Sequence, residues 1–314
     1  MVLTLAALQA PVRSETPENV LSYGAQCAAL IAPIQPFNCL DGEIIPITQN
    51  GKPVTDKSPS DCDRPTQLLA ESVKWPEGRC VPFSRTLLLA DGATQVTAIC
   101  RRKRFRAAGD PRFEEVDVVA HSVRTGATCW FAAHRDDDEP FPASRVPPPD
   151  EVTPPAGQVA AANFWNGPVK VVHENCAGCH DNSPFMFSPF MGQVWHKVPT
   201  DPFGRYESIG AAFKRSTPMA SVDPPGNTCT GCHRIGTTSS CKIDFLVNIS
   251  AIPPQTSAGG ANGPPKYWMP LIHGLSEEAW QKLNSSSIAA LQRCCDDPKR
   301  PECRVKDIPG LNAD

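Results

Sequence analysis

Fourteen cysteines in 314 residues constrain this chain more than any other feature. Four stand in two short motifs, Cys176 with Cys179 and Cys229 with Cys232. Ten are scattered: Cys27, Cys39, Cys62, Cys80, Cys100, Cys129, Cys241, Cys294, Cys295 and Cys303. So many thiols at irregular spacing oxidise outside the cytosol, and five disulfides are the simplest pairing of ten. Six of them precede the middle of the chain and four follow it, so each half can close its own bridges. The adjacent Cys294 and Cys295 predict two different partners, because neighbouring side chains rarely meet disulfide geometry. Disulfides in turn imply the periplasm, the cell surface or the external medium. Val2 to Leu8 is apolar with no Lys or Arg ahead of it, so residues 1–19 read as the remnant of a signal or leader.

Composition narrows the classes. Thirty Lys and Arg against 33 Asp and Glu give a net charge of −3, which provides no basic field for nucleic acid. No apolar stretch is long enough to form a transmembrane helix. Thirty-four prolines are about twice the usual share. Residues 20–135 read as a Cys-rich β domain, with strands at Ile44 to Thr48, Gln95 to Cys100, Glu115 to His121 and Thr128 to Ala133 and a turn at Arg124-Thr125-Gly126. Residues 136–158 begin with Asp136, Asp137, Asp138 and Glu139, continue through Pro147, Pro148, Pro149, Pro154 and Pro155, and read as a Pro-rich linker. The basic run Arg101, Arg102, Lys103, Arg104 and Arg106 reads as a solvated hairpin loop, with a docking patch for an acidic partner as the alternative.

Beyond the linker, 159–314 reads as a helical domain. Val169, Val172, Cys176 and Cys179 fall at helical spacing. A last helix begins at Ser276, with Glu277 and Glu278 in its first turn and Trp280, Leu283, Ile288 and Leu291 as apolar positions. Ser285, Ser286 and Ser287 are a candidate break. The fold class predicted is α+β and multidomain: a disulfide-bridged β-rich N-terminal domain and a mainly α-helical second domain.

Cys176-Ala177-Gly178-Cys179-His180 and Cys229-Thr230-Gly231-Cys232-His233 are both C-x-x-C-H, the sequence at which c-type haem is attached. Two thiols three residues apart can each form a thioether with a haem vinyl group, and the next residue sets an imidazole under the iron. A zinc site of two CxxC pairs does not need the His, and 49 residues between the pairs is long for a zinc ribbon. With seven His in the chain, chance would place one after both pairs with odds on the order of one in two thousand, which decides against zinc and ordinary disulfides.

These motifs resemble those of c-type cytochromes, specifically a dihaem member, over roughly Val159 to Cys303. The resemblance implies two covalently attached haem c groups. Cys176, Cys179, Cys229 and Cys232 would be the thioether cysteines, and His180 and His233 the proximal iron ligands. Tyr267-Trp268-Met269-Pro270 looks like the Met-Pro loop of class I cytochromes and offers Met269, 37 residues after Cys232, as sixth ligand of the second haem. His273 is its competitor. For the first haem the candidates are Met219, 40 residues after Cys179, and His196. Met186 and Met191 lie among Phe185, Phe187 and Phe190 and read as packing residues. His173 is a surface or supporting residue that could reach the neighbouring iron; His121 and His134 read as structural.

The function predicted is electron transfer outside the cytosol by a dihaem c-type cytochrome, with a redox partner protein or a small electron donor or acceptor. The enzyme alternative is a dihaem peroxidase or oxidase with one open haem site. That family places its two motifs in separate domains, whereas only 53 residues separate Cys176 from Cys229. A third reading makes the β domain a surface-binding module and the cytochrome its electron outlet.

Overall fold

A computed structural model describes residues 19–60, 62–66, 79–173, 180–186, 188, 190–201, 203–215, 218–231, 234–238, 240–241 and 277–311. Helix α1 (Val20–Leu30) starts at a capping box in which Asn19 and Ser22 satisfy each other's backbone N–H groups. Short strands β1 (Glu43–Ile44), β2 (Thr48–Gln49) and β3 (Lys52–Pro53) follow. The long strands are β4 (Arg85–Ala90), β5 (Thr94–Arg101), β7 (Glu115–Ser122) and β8 (Ala127–His134). The two-residue strands β6 (Arg112–Phe113) and β9 (Phe141–Pro142) pair with each other. The long strands pair antiparallel in chain order, with β1 on the outer edge of β4 and β10 (Glu207–Ser208) parallel on the outer edge of β8.

Alternation along the strands sorts the side chains into two faces. Val96, Ala98, Cys100, Val116, Val118, Ala120, Cys129, Phe131 and Ala133 share one face and form the main core. Helix α1 covers it through Val20, Tyr23 and Cys27, and the Cys27–Cys129 bridge staples helix to strand. Cys39–Cys100 fixes the next turn to β5. The stretch 136–158 lies on the same body: Val146 is buried and bridges to Phe37, and the Pro147 carbonyl accepts the Trp165 indole N–H at 2.9 Å. Residues from the second half, Trp165, Val171, Tyr206, Ile209, Phe213 and Ile308, join this core.

The second half corrects the expectation of a mainly α-helical dihaem domain. Among the described residues after 158 the helices are α2 (Ala161–Phe164), α3 (Pro168–His173) and α4 (Glu277–Asp296), joined by 3-10 turns and short strands. The chain as described is sheet-rich. Pro168, Pro184, Pro199, Pro218, Pro224 and Pro225 recur too often for long helices between them, because each removes a donor and crowds the preceding turn. A small sheet of β11 (Ala220–Val222), β12 (Ile235–Gly236) and β13 (Lys306–Asp307) takes their place. Helix α4 runs through Ser285–Ser287 without a break. Ile288 and Leu291 are buried as predicted, but Leu283 is exposed, and Asn284 and Ser287 complete the inward face.

Among the described residues there are five disulfides: Cys27–Cys129, Cys39–Cys100, Cys62–Cys80, Cys241–Cys295 and Cys294–Cys303. They match the ten scattered cysteines, none joins the two halves, and Cys294 and Cys295 take different partners. Among the described residues no helix is long and apolar enough to cross a membrane. Non-reducing peptide mapping should return these five pairs. The Cys27–Cys129 bridge closes a separation of 102 residues, so replacing both with Ala should lower unfolding stability by about 4 kcal/mol in a urea titration. A loss under about 1 kcal/mol would show that the helix is held by packing alone.

Candidate functional site

The second face of the sheet is where the first motif's flank docks. Gln95, Thr97, Ile99 and Arg101 of β5 share it with Glu115, Asp117, Val119 and His121 of β7 and with Thr128, Trp130, Ala132 and His134 of β8. It is polar yet largely buried, so its groups need partners. Thr128 Oγ1 gives its proton to the Gly126 carbonyl at 3.1 Å, so it accepts from His121 Nδ1 at 2.8 Å. That assigns the Nδ1–H tautomer to a neutral ring, whose pKa is lowered to about 4 by burial against a smaller opposing pull from Asp201. Phe185 meets the ring edge-on at 6.1 Å.

His180 packs on the same face, against Trp130. Its ring lies 4.7 Å from Trp130, and its Nδ1 lies 3.0 Å from the Pro184 carbonyl. A carbonyl only accepts, so Nδ1 carries the proton and Nε2 keeps its lone pair, the arrangement that prepares an imidazole as a donor ligand. Burial again leads in lowering its pKa, to about 4. Tyr206 Oη donates to the His180 carbonyl, and Trp130 Nε1 donates to Ser208 Oγ at 2.9 Å. Strand β10 and the residue just before it supply the two anchors. The strand's parallel seat depends on Gly126, at φ 81°, where a Cβ would come within 2.7 Å of the Arg205 backbone.

The flanks of the two motifs are knitted together. Asp181 Oδ2 accepts from Thr238 N at 3.2 Å, from Thr238 Oγ1 and from Ser240 N at 3.1 Å. Asn182 donates to the Arg234 carbonyl, while Arg234 donates to the carbonyls of Asn182 at 3.2 Å and Gly204 at 2.8 Å. Gly236 is required here, since a Cβ would lie 2.5 Å from Asp181 Oδ1. The second motif is seated on α4. Asn227 donates to the Ser287 carbonyl at 2.7 Å and accepts from Cys229 N at 2.9 Å, and Thr228 N donates to Ser287 Oγ at 3.0 Å. Half-buried Cys229 packs on the cluster of Val222, Ile235, Ile288, Leu291 and two disulfides.

Of the other predicted site residues, Cys176, Cys179, Cys232, His233, Met269 and His273 lie outside the described residues. Met219 packs on the main core, and its carbonyl accepts from Ile308 N at 2.9 Å. His196 is exposed, with Nε2 2.8 Å from Glu43 Oε2. His173 ends α3 at the surface. The expectation of two covalently attached haem c groups with their iron is corrected. Among the described residues no group of three or more His, Cys, Asp or Glu gathers to hold a metal, and ten cysteines are taken by disulfides. Placement is the reason: His121, His180 and His196 are engaged separately, with Thr128, Pro184 and Glu43.

Sequence reasoning missed Trp130, Tyr206, Asp181 and Arg234, which sit beside or support the motif flanks. It also missed a charge cluster on the same sheet face. Arg101 Nε lies 3.0 Å from Glu115 and 3.2 Å from Asp117, and Lys103 Nζ lies 3.0 Å from Glu115. Burial disfavours both carboxylates. Arg101 and Lys103 overcome it at Glu115, whose pKa is lowered, while burial and the adjacent Glu115 charge hold Asp117 well above the usual range. The alternation of β7 put these two acids on one face, but only the pairing register shows them facing Arg101. In comparisons with family models, curated proteins and solved structures, the chain matches none.

Neutral burial of His121 gives a pH signature. Its pKa is about 4 when folded against about 6.5 when unfolded, so below pH 6.5 the unfolded chain binds more protons. Stability is full above that pH and falls as pH drops through the window to about 4, by up to about 3 kcal/mol from this residue. Urea titrations from pH 7 to 4 should show a shallower decline for His121→Gln than for the parent chain. Parallel declines would overturn the assignment.

Proposed function

We propose that this chain transfers electrons outside the cytosol, as the c-type cytochromes it resembles do, in the periplasm, at the cell surface or in the external medium. The observation that carries the reading is the pair of C-x-x-C-H sequences. Three features support it. The disulfides among the described residues pair the ten scattered cysteines and fit an oxidising compartment. His180 is held by Pro184, Trp130 and Tyr206 with Nε2 left as a lone pair. The flanks of the two motifs share hydrogen bonds, so two redox elements would sit in one frame. A redox protein or a small electron donor or acceptor is the partner proposed.

The test is spectroelectrochemical titration of the full chain matured on the export side. Reversible electron uptake by the full chain is expected, with a defined midpoint potential. Replacing Cys176 and Cys179 with Ala should remove one contribution and shift the other, because the flanks are shared; replacing Cys229 and Cys232 should do the reverse. A matured chain that takes up no electrons reversibly would overturn the reading.

A further inference from the structure

A depression at the edge of the second motif's flank, formed by Thr237 together with Pro298, Lys299, Pro301, Arg304 and Val305, holds about 560 Å³. It is shallow and largely open to solvent, so a ligand would lie on it rather than be enclosed by it. Its cations are unevenly committed. Arg300 lies 3.7 Å from Asp297 and 3.9 Å from Glu302, while Lys299 and Arg304 make no side-chain ion pair among the described residues. The neighbouring Asp223 is bound by Lys306 and also faces the charge of Arg304, leaving Lys299 the less committed cation. Pro301 and Val305, the latter 47% exposed, give the depression an apolar wall.

The backbone at Arg304 is a second observation. Its φ of 43° and ψ of 63° are left-handed, a conformation uncommon for any residue but glycine and found disproportionately at ligand sites. The fold imposes it: Cys303 is bridged to Cys294, and its carbonyl accepts from Asp223 N at 2.9 Å. A long cationic side chain thus stands where glycine would be cheaper.

We propose that this depression binds a small organic oxyanion, with a carboxylate or phosphate head taken by Lys299 and Arg304 and an apolar body laid on Pro301 and Val305. The Thr237 hydroxyl can complete the head's hydrogen bonding. The site does not depend on the electron-transfer reading, since it uses neither motif. Two terms define the ligand: charge-assisted bonds select the head, and the wall selects a body over a bare ion.

Calorimetry on the full chain tests it with three probes: 2-naphthoate, inorganic phosphate and the neutral 2-naphthylmethanol. The first should bind at least about tenfold more tightly than either of the others, and its affinity should fall with added salt. Arg304→Gly is the decisive variant, because glycine relieves the left-handed strain and should keep or raise the melting temperature. It should weaken 2-naphthoate by about tenfold or more, and Lys299→Gln should weaken it as well. The proposal fails if 2-naphthoate does not bind, if Arg304→Gly binds it unchanged, or if phosphate alone binds as tightly.

Discussion

Strands β5 and β8 are buried along nearly their whole length, on both faces. A sheet buried on both faces needs two covers, and here the faces ask for different ones. One is apolar, and helix α1 closes it by packing and a disulfide. The other carries Thr97, His121, Thr128 and Trp130, whose polar atoms cannot be left unpaired. A helix spends its carbonyls on itself, whereas irregular chain keeps carbonyls and hydroxyls to offer. The segment on this face does so: the Lys197 carbonyl accepts from Thr97 Oγ1 at 3.5 Å, and Ser208 Oγ accepts from the Trp130 indole. The irregularity of the second half is in this sense a consequence of the polar sheet face beneath it.

Charge runs obey the same rule. The basic run after β5 is only partly solvated, and most of its charges already have partners. Arg102 is 1% exposed, donates to the carbonyls of Arg106, Ala107, Ala108 and Asp110, and stacks 4.9 Å over Phe113. Lys103 reaches Asp138, Arg104 reaches Glu139, and Arg106 holds the fully buried Glu114 at 2.6 Å. The basic run and the acids at the head of the Pro-rich stretch therefore pair with each other. The exposed pairs contribute little. The buried Glu114 and Arg102 are different, because removing either partner would strand a charge or several carbonyls.

Local features were legible wherever a local rule sets them. The alternation in Gln95 to Cys100, Glu115 to His121 and Thr128 to Ala133 gave three long strands to within a residue or two, and cysteine parity gave the number of bridges and their confinement to each half, though not which cysteine pairs with which. Strand β4 was missed because Thr86 to Leu89 is a short apolar run without a clear period. Ile44 to Thr48 is not one strand but two short ones around Ile45 and Ile47, which point into a separate small core. Strand β10 spans two residues and exists only through its partner β8, so no local signal marks it. At the site, the motifs were plain in the sequence. The groups that orient them were not, since Trp130, Tyr206 and Arg234 gain their roles from contacts across 26 to 52 positions or more.

Those contacts decide how the two motif flanks relate. Arg234 stands directly after the second motif and donates into the loop of the first, while Asp181 directly after the first accepts from the strand end of the second. Neither loop can move without breaking buried hydrogen bonds of the other. Cys241–Cys295 then ties the second flank to α4, Cys294–Cys303 ties α4 to the turn before β13, and Glu207 ties β10 to the segment after β13 through Leu311 N at 2.8 Å. From β8 to the last helix the frame is closed. For the proposed electron transfer this closure matters physically: groups whose dipoles are fixed in advance need little rearrangement when a charge arrives or leaves.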